Sequence, residues 1–411
     1  MKYPFTPELL DALPEELAEL YRGIEDTLLE EICSRLKAAD QLNEVTVQDI
    51  RALRSHGIDL EEIEKAIAEN TGVSQEKLAK LFDEVVERNQ AFYTELIDLA
   101  KVTAPEVLVD AAEVEAIRRQ TAGKFRNLTG SMGFIVEENG KKVRLPLAKS
   151  YQWALDSALL QMESGAISYD RAIASAVKQL AGSGLKTVNY ESRHVDQVDV
   201  AARRAVMTGV NQINQKYREQ SMDYLETDLV EVTAHSGARN TGSGPANHAS
   251  WQGKIYRWSQ KPRTSKGKYP DFVDTCGYGR GEGIGGWNCR HSYWPFIEGV
   301  MEPSRTAKQL AEIDPPPFSY EGREYTAYEA TQKQREIERT IRREKRLRDA
   351  YKAAGLTEDE RNAKSRLNEL QRKYREFSKA AGLPEQRERM RVLYVDEKSE
   401  KAAAALKEKG R

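Results

Sequence analysis

The sequence predicts a mainly α-helical protein with one small α+β module, and three observations predict it. Apolar residues recur at three- and four-residue steps through most of the chain, the period of an amphipathic helix. Residues 224–300 break that rhythm with glycines, aromatics and turn formers. Two helix-start signals, each followed by a glycine stop, then organise the rear of the chain.

The elements follow in order. Residues 1–115 read as an acidic helical region, in which Leu17, Leu20, Tyr21, Ile24, Leu28, Ile32 and Leu36 form one apolar stripe. Shorter helices are expected over "TVQDIRALRSHGI" and "DLEEIEKAIAENTG", each stopped by its glycine. A longer one is expected over "SQEKLAKLFDEVVERNQAFYTELIDLA", where Ser74 and Lys77 make no capping box. Residues 116–223 continue as a helical region with a short hairpin, since "LTGSMGFIVEENGKKVRLP" alternates around "ENGKK". "VDVAARRAVMTGVNQINQKYREQSMDYL" predicts a strong helix. Residues 224–300 form the loop-rich glycine/aromatic α+β module, opened by a strand through Leu229, Val230, Val232 and Thr233. "DPPPF" at 314–318 predicts a rigid linker. Residues 318–411 predict a basic helical hairpin tail, with capping boxes at Thr326/Glu329 and Thr357/Glu360 and stops at Gly355 and Gly382. No repeat of fixed period organises the chain.

Composition narrows the class. A chain of 411 residues with 39% hydrophobic and 31% charged side chains suits long exposed helices better than one large spherical core. No stretch approaches the about 18 consecutive apolar residues of a membrane span. The opening "MKYPFTPELLDALPEEL" lacks the basic-then-apolar pattern of a secretory signal. Cys33, Cys276 and Cys289 are too few for a disulfide scaffold and fit a reducing cytoplasm.

The net charge of −2 hides an asymmetry. Residues 1–115 carry 11 basic against 27 acidic side chains, whereas residues 116–317 and 318–411 each carry a surplus of seven basic ones. Such a split implies partners of different sign, or head-to-tail contact between copies. "KQREIERTIRREKRLR" is the most basic stretch, with eight basic and three acidic residues. It reads either as a solvated helix laced with ion pairs or as a face for nucleic acid, with interleaved glutamates that blunt phosphate tracking.

Four features compete for chemistry. His235, His248, Cys276, Cys289 and His291 lie within 57 residues, a Cys/His set of the kind zinc favours, but without a CxxC or HxxxH spacing. Ordinary hydrogen-bonded histidines and a buried thiol are the alternative. "GEGIGG" formally matches a dinucleotide loop, yet it runs into Trp-Asn-Cys rather than a helix and no Walker lysine follows. Its glycines serve better where large aromatics pack closely. Cys289 or Ser236 beside a histidine is a nucleophile–base candidate without a recognised triad spacing. Finally, Trp251, Tyr256, Trp258, Tyr278, Trp287, Tyr293, Trp294 and Phe296 form an aromatic cluster that reads as core, with an interaction surface as its rival.

Three ordered stretches carry a family resemblance: "YESRHVDQVDVAARRAVMTGVNQ", "DLVEVTAHSGARNTGSGPANHASWQGKIY" and "CGYGRGEGIGGWNCRHSYWPFIEG". Together with "REYTAYEATQKQREIERTIRREKR", the chain resembles the phage minor capsid protein 2 family, itself distantly related to the minor head proteins of Mu-type phages. The match is dense from Tyr151 to Arg348 and looser over the N-terminal helices. The family-like positions are Arg203, Arg204, Asn211 and Gln212; His235, Gly237, Ala238 and Arg239; Asn247, His248, Trp251, Gln252, Gly253 and Lys254; and Gly286, Asn288, Cys289, Arg290 and His291. Where the Mu-type relatives place cysteines in CxxC and NCRC, this chain has His235, His248 and "NCRH", which leaves His235, His248, Cys289 and His291 as metal candidates and a structural zinc as the one conceivable cofactor.

The resemblance implies a structural, non-enzymatic protein of the virion head, made in the host cytoplasm and present in several copies. Its implied partners are the portal, other head proteins and, through the basic tail, packaged DNA; no membrane is implied. The alternatives are a virion-delivered effector enzyme of nuclease or ADP-ribosyltransferase type, and a zinc-stabilised nucleic-acid-binding module. Bottom-up, Arg239 and Arg290 offer rigid donor forks, while Asn247, Asn288 and Gln252 can bind backbone in turns. Such residues hold a fold whose backbone is not satisfied by sheets.

Overall fold

The computed structural model describes residues 5–40, 60–138, 140–163, 168–188, 194–286 and 289–392. Its long helices are α2 (Glu15–Asp40), α3 (Leu60–Leu99), α4 (Ala111–Gly130), α5 (Leu147–Glu163), α6 (Tyr169–Ser183), α7 (Val198–Tyr224), α11 (Ala327–Ala353) and α12 (Thr357–Ala380). Short helices α1 (Pro7–Ala12), α8 (His248–Trp251), α9 (Phe272–Cys276) and α10 (Ala307–Ala311) punctuate them. The fold is therefore mainly helical with small antiparallel sheets, as the periodicity predicts.

Helix α7 is the axis, packed on α2, α3 and α4 together. The stripe expected on α2 is the face it buries: Leu17, Tyr21, Ile24, Leu28, Ile32 and Leu36 are all 5% exposed or less. Each such side chain contributes about 1.5–3 kcal/mol relative to exposure. The apolar cluster they join runs from Phe5 to Ala363 and takes in residues of α2 to α7, α11 and α12. Close approach at its centre requires Gly209, where a Cβ would stand 2.4 Å from Phe82 of α3 and 2.6 Å from the Thr121 hydroxyl of α4. Nearby, Asn89 donates to Asn214 at 2.7 Å across α3 and α7, both side chains fully buried.

Three small sheets accompany the helices. Strands β1 (Gly133–Glu138), β2 (Lys141–Pro146), β3 (Lys186–Val188) and β4 (Val195–Gln197) form a sheet of order β2-β1-β3-β4. Its β1–β2 pair is the hairpin expected around "ENGKK". Strands β5 (Leu229–Val232), β6 (Ile255–Arg257) and β7 (Tyr293–Phe296) make the antiparallel sheet β6-β5-β7 of the loop-rich region. A third pair, β8 (Phe318–Tyr320) with β9 (Arg323–Tyr325), packs Phe318, Tyr320 and Tyr325 on Phe377 of α12.

Several local expectations change. The glycine stop at Gly72 does not operate: α3 runs unbroken from Leu60 to Leu99, because glycine permits a left-handed cap but does not force one where the helical turn continues. The helix expected over "TVQDIRALRSHGI" lies outside the described residues. Thr326 and Glu329 do form a reciprocal capping box at the start of α11. Thr357 does not cap α12; it is the helix's first residue, and Leu356 holds the cap position without a side-chain bond. Phe318, the last residue of "DPPPF", opens β8, so a β8–β9 hairpin stands where the sequence predicts only a linker ahead of the helix.

The charge split is answered inside the chain. Basic helix α11 packs on acidic α2 and on α6, bringing Arg346 to 2.7 Å from Glu25 and Arg342 to 2.6 Å from Asp199 of α7. Arg22 of α2 lies 3.6 Å from the same Asp199 oxygen. Burial alone would raise the Asp199 pKa, but Arg342 and Arg22 outweigh it and hold the carboxyl below its ordinary value. At the far end Asp11 takes Arg203, Arg335 and Arg389. On the basic arm, Arg335, Arg342 and Arg346 therefore face carboxylates of this chain rather than solvent or nucleic acid.

A substitution tests the packing of the axis. Gly209→Ala is expected to lower stability by about 1–3 kcal/mol through overpacking, read as a lower denaturation midpoint with unchanged helical circular dichroism. An unchanged midpoint would contradict the close approach of α3, α4 and α7.

Candidate functional site

The loop-rich region is built on β5, the middle strand of its sheet, every residue of which is buried. Trp258, Phe272, Tyr278 and Tyr293 fill one side with ring centroids 4.8–5.9 Å apart. Arg218, reaching in from α7, lies 4.4 Å above the Tyr293 ring and donates to the Ser292 hydroxyl at 2.8 Å. Trp251 is 1% exposed and gives its indole N–H to the Pro245 carbonyl. Trp251, Tyr256, Trp258, Tyr293 and Phe296 are core, as the density of aromatics predicts, whereas Tyr278 and Trp294 are half-buried. Trp287 and Asn288 lie outside the described residues.

The glycine run is a ladder of turns, not a nucleotide loop. The N–H groups of Arg280, Gly283, Gly286 and Cys289 donate to the carbonyls of Gly277, Arg280, Gly283 and Gly286 in succession. Helix α9 precedes it and β7 follows, so among the described residues the run does not open a helix whose N-terminus could bind an anion. A Cβ on Gly283 would sit 2.1 Å from the Gly277 carbonyl oxygen, which is why only glycine fits there.

Around this ladder the histidines converge. His291 is stacked on His235 at 4.4 Å and meets the edges of Trp251 and His248 at 4.9 and 5.3 Å. Gln252 fixes the arrangement. Its Oε1 accepts the His235 backbone N–H at 3.0 Å, so the atom is an acceptor, and His291 Nε2 at 3.0 Å must donate to it. The His291 Nδ1 lone pair therefore faces Cys289 Sγ, 3.7 Å away. His248 Nε2 lies 2.8 Å from the Glu282 carbonyl and must likewise carry its proton, which leaves Nδ1 as the lone-pair nitrogen. Ligand atoms of His248, Cys289 and His291 lie within 4.8 Å of one another. His235 points its Nδ1 to the Ser236 carbonyl and falls outside that set of three.

Electrostatics keep these groups neutral. Burial, then the neighbouring His235 and His248, then Arg290 and Arg239 push the His291 pKa well below its ordinary value. Burial lowers that of His248, and burial raises the Cys289 thiol against the pull of Arg239 and Arg290. A neutral imidazole pair and a shielded thiol can share a hydrogen bond or hold a soft cation; they are poorly placed to attack a substrate.

The other sequence candidates take structural places. Arg203 binds Asp11 and Glu15, and Arg204 binds Asp196 at 2.8 Å. Asn211 and Gln212 are half-buried on α7, away from the histidines in sequence and on a different element. The Gly237 N–H donates to Asp314 at 2.7 Å, and buried Ala238 precedes Arg239, whose carbonyl receives the Ala249 N–H. Asn247 leads into α8, and its carbonyl accepts the Ser250 hydroxyl. Gly253 stands against Leu310, Lys254 is exposed and donates to the Ser250 carbonyl, Gly286 belongs to the turn ladder, and half-buried Arg290 adds to the field on Asp11.

Sequence reading missed Asp228. Fully buried ahead of β5, its carboxylate accepts from Ser265 N–H at 2.9 Å, Ser265 and Thr264 hydroxyls at 3.1 Å, and Arg257 Nε at 2.9 Å. Burial would raise its pKa; these donors outweigh burial and hold it below the ordinary value. The signal available was faint: one aspartate before a strand, with "TSK" 36 residues on.

The comparisons with known proteins point to a phage structural protein. The structural protein of Lactococcus phage LL-H is 25% identical over 310 residues, covering 73% of this chain and 77% of that protein. No solved structure matches. Residues 5–379 match the family described as Phage minor capsid protein 2, and the chain belongs to that family of phage structural proteins.

Asp228→Asn is expected to destabilise the protein by about 1–3 kcal/mol at neutral pH, since charge-assisted bonds to a buried acceptor are lost. With the folded pKa below the unfolded one, this stabilisation is complete above about pH 4 and disappears as pH falls through the folded value. The gap between wild type and variant in urea midpoints should therefore close in acid; a gap constant from neutral pH to about pH 2 would contradict the assignment.

Proposed function

We propose that this chain is a structural component of the phage head that joins the portal and neighbouring head proteins during prohead assembly, and that it carries no catalytic role. The observation that supports this reading most is the extent of the family match: it takes in residues 5–379, and so the helical body, the histidine-bearing sheet and the helical hairpin alike. The burial of Cys289, His248 and His291 favours a structural role for the motif over an effector enzyme. Among the described residues, the elements after β7 are a short helix, the β8–β9 hairpin, the α11–α12 pair and a single 3-10 turn at Glu388–Met390. The α11 arm packs back on α2 and α6, which again favours scaffold over a separate catalytic module. No helix among the described residues is long and apolar enough to cross a membrane.

Contact with packaged DNA is the narrower part of the reading. Arg335, Arg342 and Arg346 pair with carboxylates, so a phosphate contact on α11 falls to exposed side chains such as Arg339 and Arg343. Such binding must weaken with salt.

The test uses the full chain, because α2 and α3 share their core with α7 and α11. Co-expressed with the portal protein of the same phage, the chain should co-elute with the portal assembly on size exclusion, and purified virions should contain it at low copy by quantitative mass spectrometry. Absence from purified virions would overturn the structural role; presence there without portal co-elution would overturn the portal contact alone.

A further inference from the structure

We infer that His248, Cys289 and His291 form a zinc site that ties helix α8 to the segment entering β7. The inference starts from convergence. A tetrahedral zinc with one thiolate and imidazoles places neighbouring donor atoms about 3.3–3.6 Å apart. Cys289 Sγ and His291 Nδ1 stand at 3.7 Å, and the three donor atoms lie within 4.8 Å. The geometry thus needs a contraction of about one ångström to close around an ion with the bond lengths zinc takes.

Orientation is the second, independent observation. A metal-binding histidine gives its remote N–H to a carbonyl or carboxylate, which fixes the ring and presents the other nitrogen's lone pair. Both histidines do this here, to different partners. His291 Nε2–H goes to Gln252 Oε1, whose identity as oxygen is set by the His235 backbone N–H. His248 Nε2–H goes to the Glu282 main-chain carbonyl. A pair of core histidines with no further task would need neither the His291 ring aimed at the Cys289 thiol nor both remote nitrogens occupied.

Ligand chemistry selects the ion. One thiolate with two imidazoles suits zinc among abundant divalent ions and excludes magnesium and calcium, which require oxygen donors. On binding, the Cys289 thiol releases its proton to solvent, the sulfur and two nitrogens each donate a lone pair, and a water fills the fourth position. No redox change is involved. The consequence is architectural. The donors come from two segments separated by the β6 strand and the whole glycine ladder, where regular sheet hydrogen bonding is sparse, so an ion there would cross-link backbone that is otherwise held by turns.

The experiment is metal analysis of the full-length chain purified without a polyhistidine tag under reducing conditions. Elemental analysis should give about one zinc per chain. After exchange to cobalt, the protein should show the visible bands of tetrahedral cobalt and a thiolate-to-cobalt charge-transfer band in the near ultraviolet. Cys289→Ser should abolish the charge-transfer band and lower the zinc content to background, whereas Cys276→Ser and Cys33→Ser should keep both. Wild-type protein that retains no zinc and gives no thiolate–cobalt band on reconstitution overturns the site whatever the variants do. A band that survives Cys289→Ser but is lost with Cys276→Ser overturns the assignment of the sulfur. Neither result bears on virion incorporation, so this site and the capsid role fail separately.

Discussion

Two carboxylates cannot be taken out of water without partners, and Glu25 and Asp199 are both almost fully buried. The cost of an unpaired buried charge is several kcal/mol. Helix α2 therefore docks where Arg346 can reach Glu25, and α7 docks where Arg342 and Arg22 can flank Asp199. Glu25 also accepts the backbone N–H of Leu185, which ties the end of α6 to the same point. The rear helix is thus fastened to the front of the chain by groups that have no acceptable alternative. The opposite charges of the two ends, conspicuous in the sequence, are in part the trace of this internal contact.

The loop-rich region obeys a related constraint on a smaller scale. Its three short strands satisfy few backbone groups, so side chains take over the work. Asp228 gathers the "TSK" loop, Gln252 bridges His235 to His291, and Asp314 receives the turn at Gly237. Arg218 enters from α7 and fixes this region on the helical body by stacking on Tyr293. The same tightness that makes it a fold of turns also brings two imidazoles and a thiol into one place.

Much of the helical architecture was legible because helix burial is periodic. The α2 stripe, the α11 capping box and the hairpin around "ENGKK" are each local signals, decided within a few residues. What was not legible depends on distance along the chain. Nothing near Gly72 says that α3 continues through it, and nothing near Thr357 says that Leu356 occupies the cap. Asp228 finds its donors 29 to 37 residues away. The basic arm read as solvated or DNA-facing because its carboxylate partners lie far upstream in sequence. For the motif residues, sequence offered types without geometry: it set His248 beside His235 as equal candidates, while the fold groups His248 with Cys289 and His291 and turns His235 toward Ser236.

The dependence of the fold on the buried ion pairs is tested most directly by a double-mutant cycle on Glu25→Gln and Arg346→Met, measured by denaturant unfolding of the full chain. Each single substitution strands a buried partner and should cost about 3–5 kcal/mol. The double variant should cost less than the sum of the two, leaving a coupling energy of about 1.5–3 kcal/mol. Additivity to within about 0.5 kcal/mol would mean that α2 and α11 do not depend on each other through this pair, and would contradict the internal closure of the charge split.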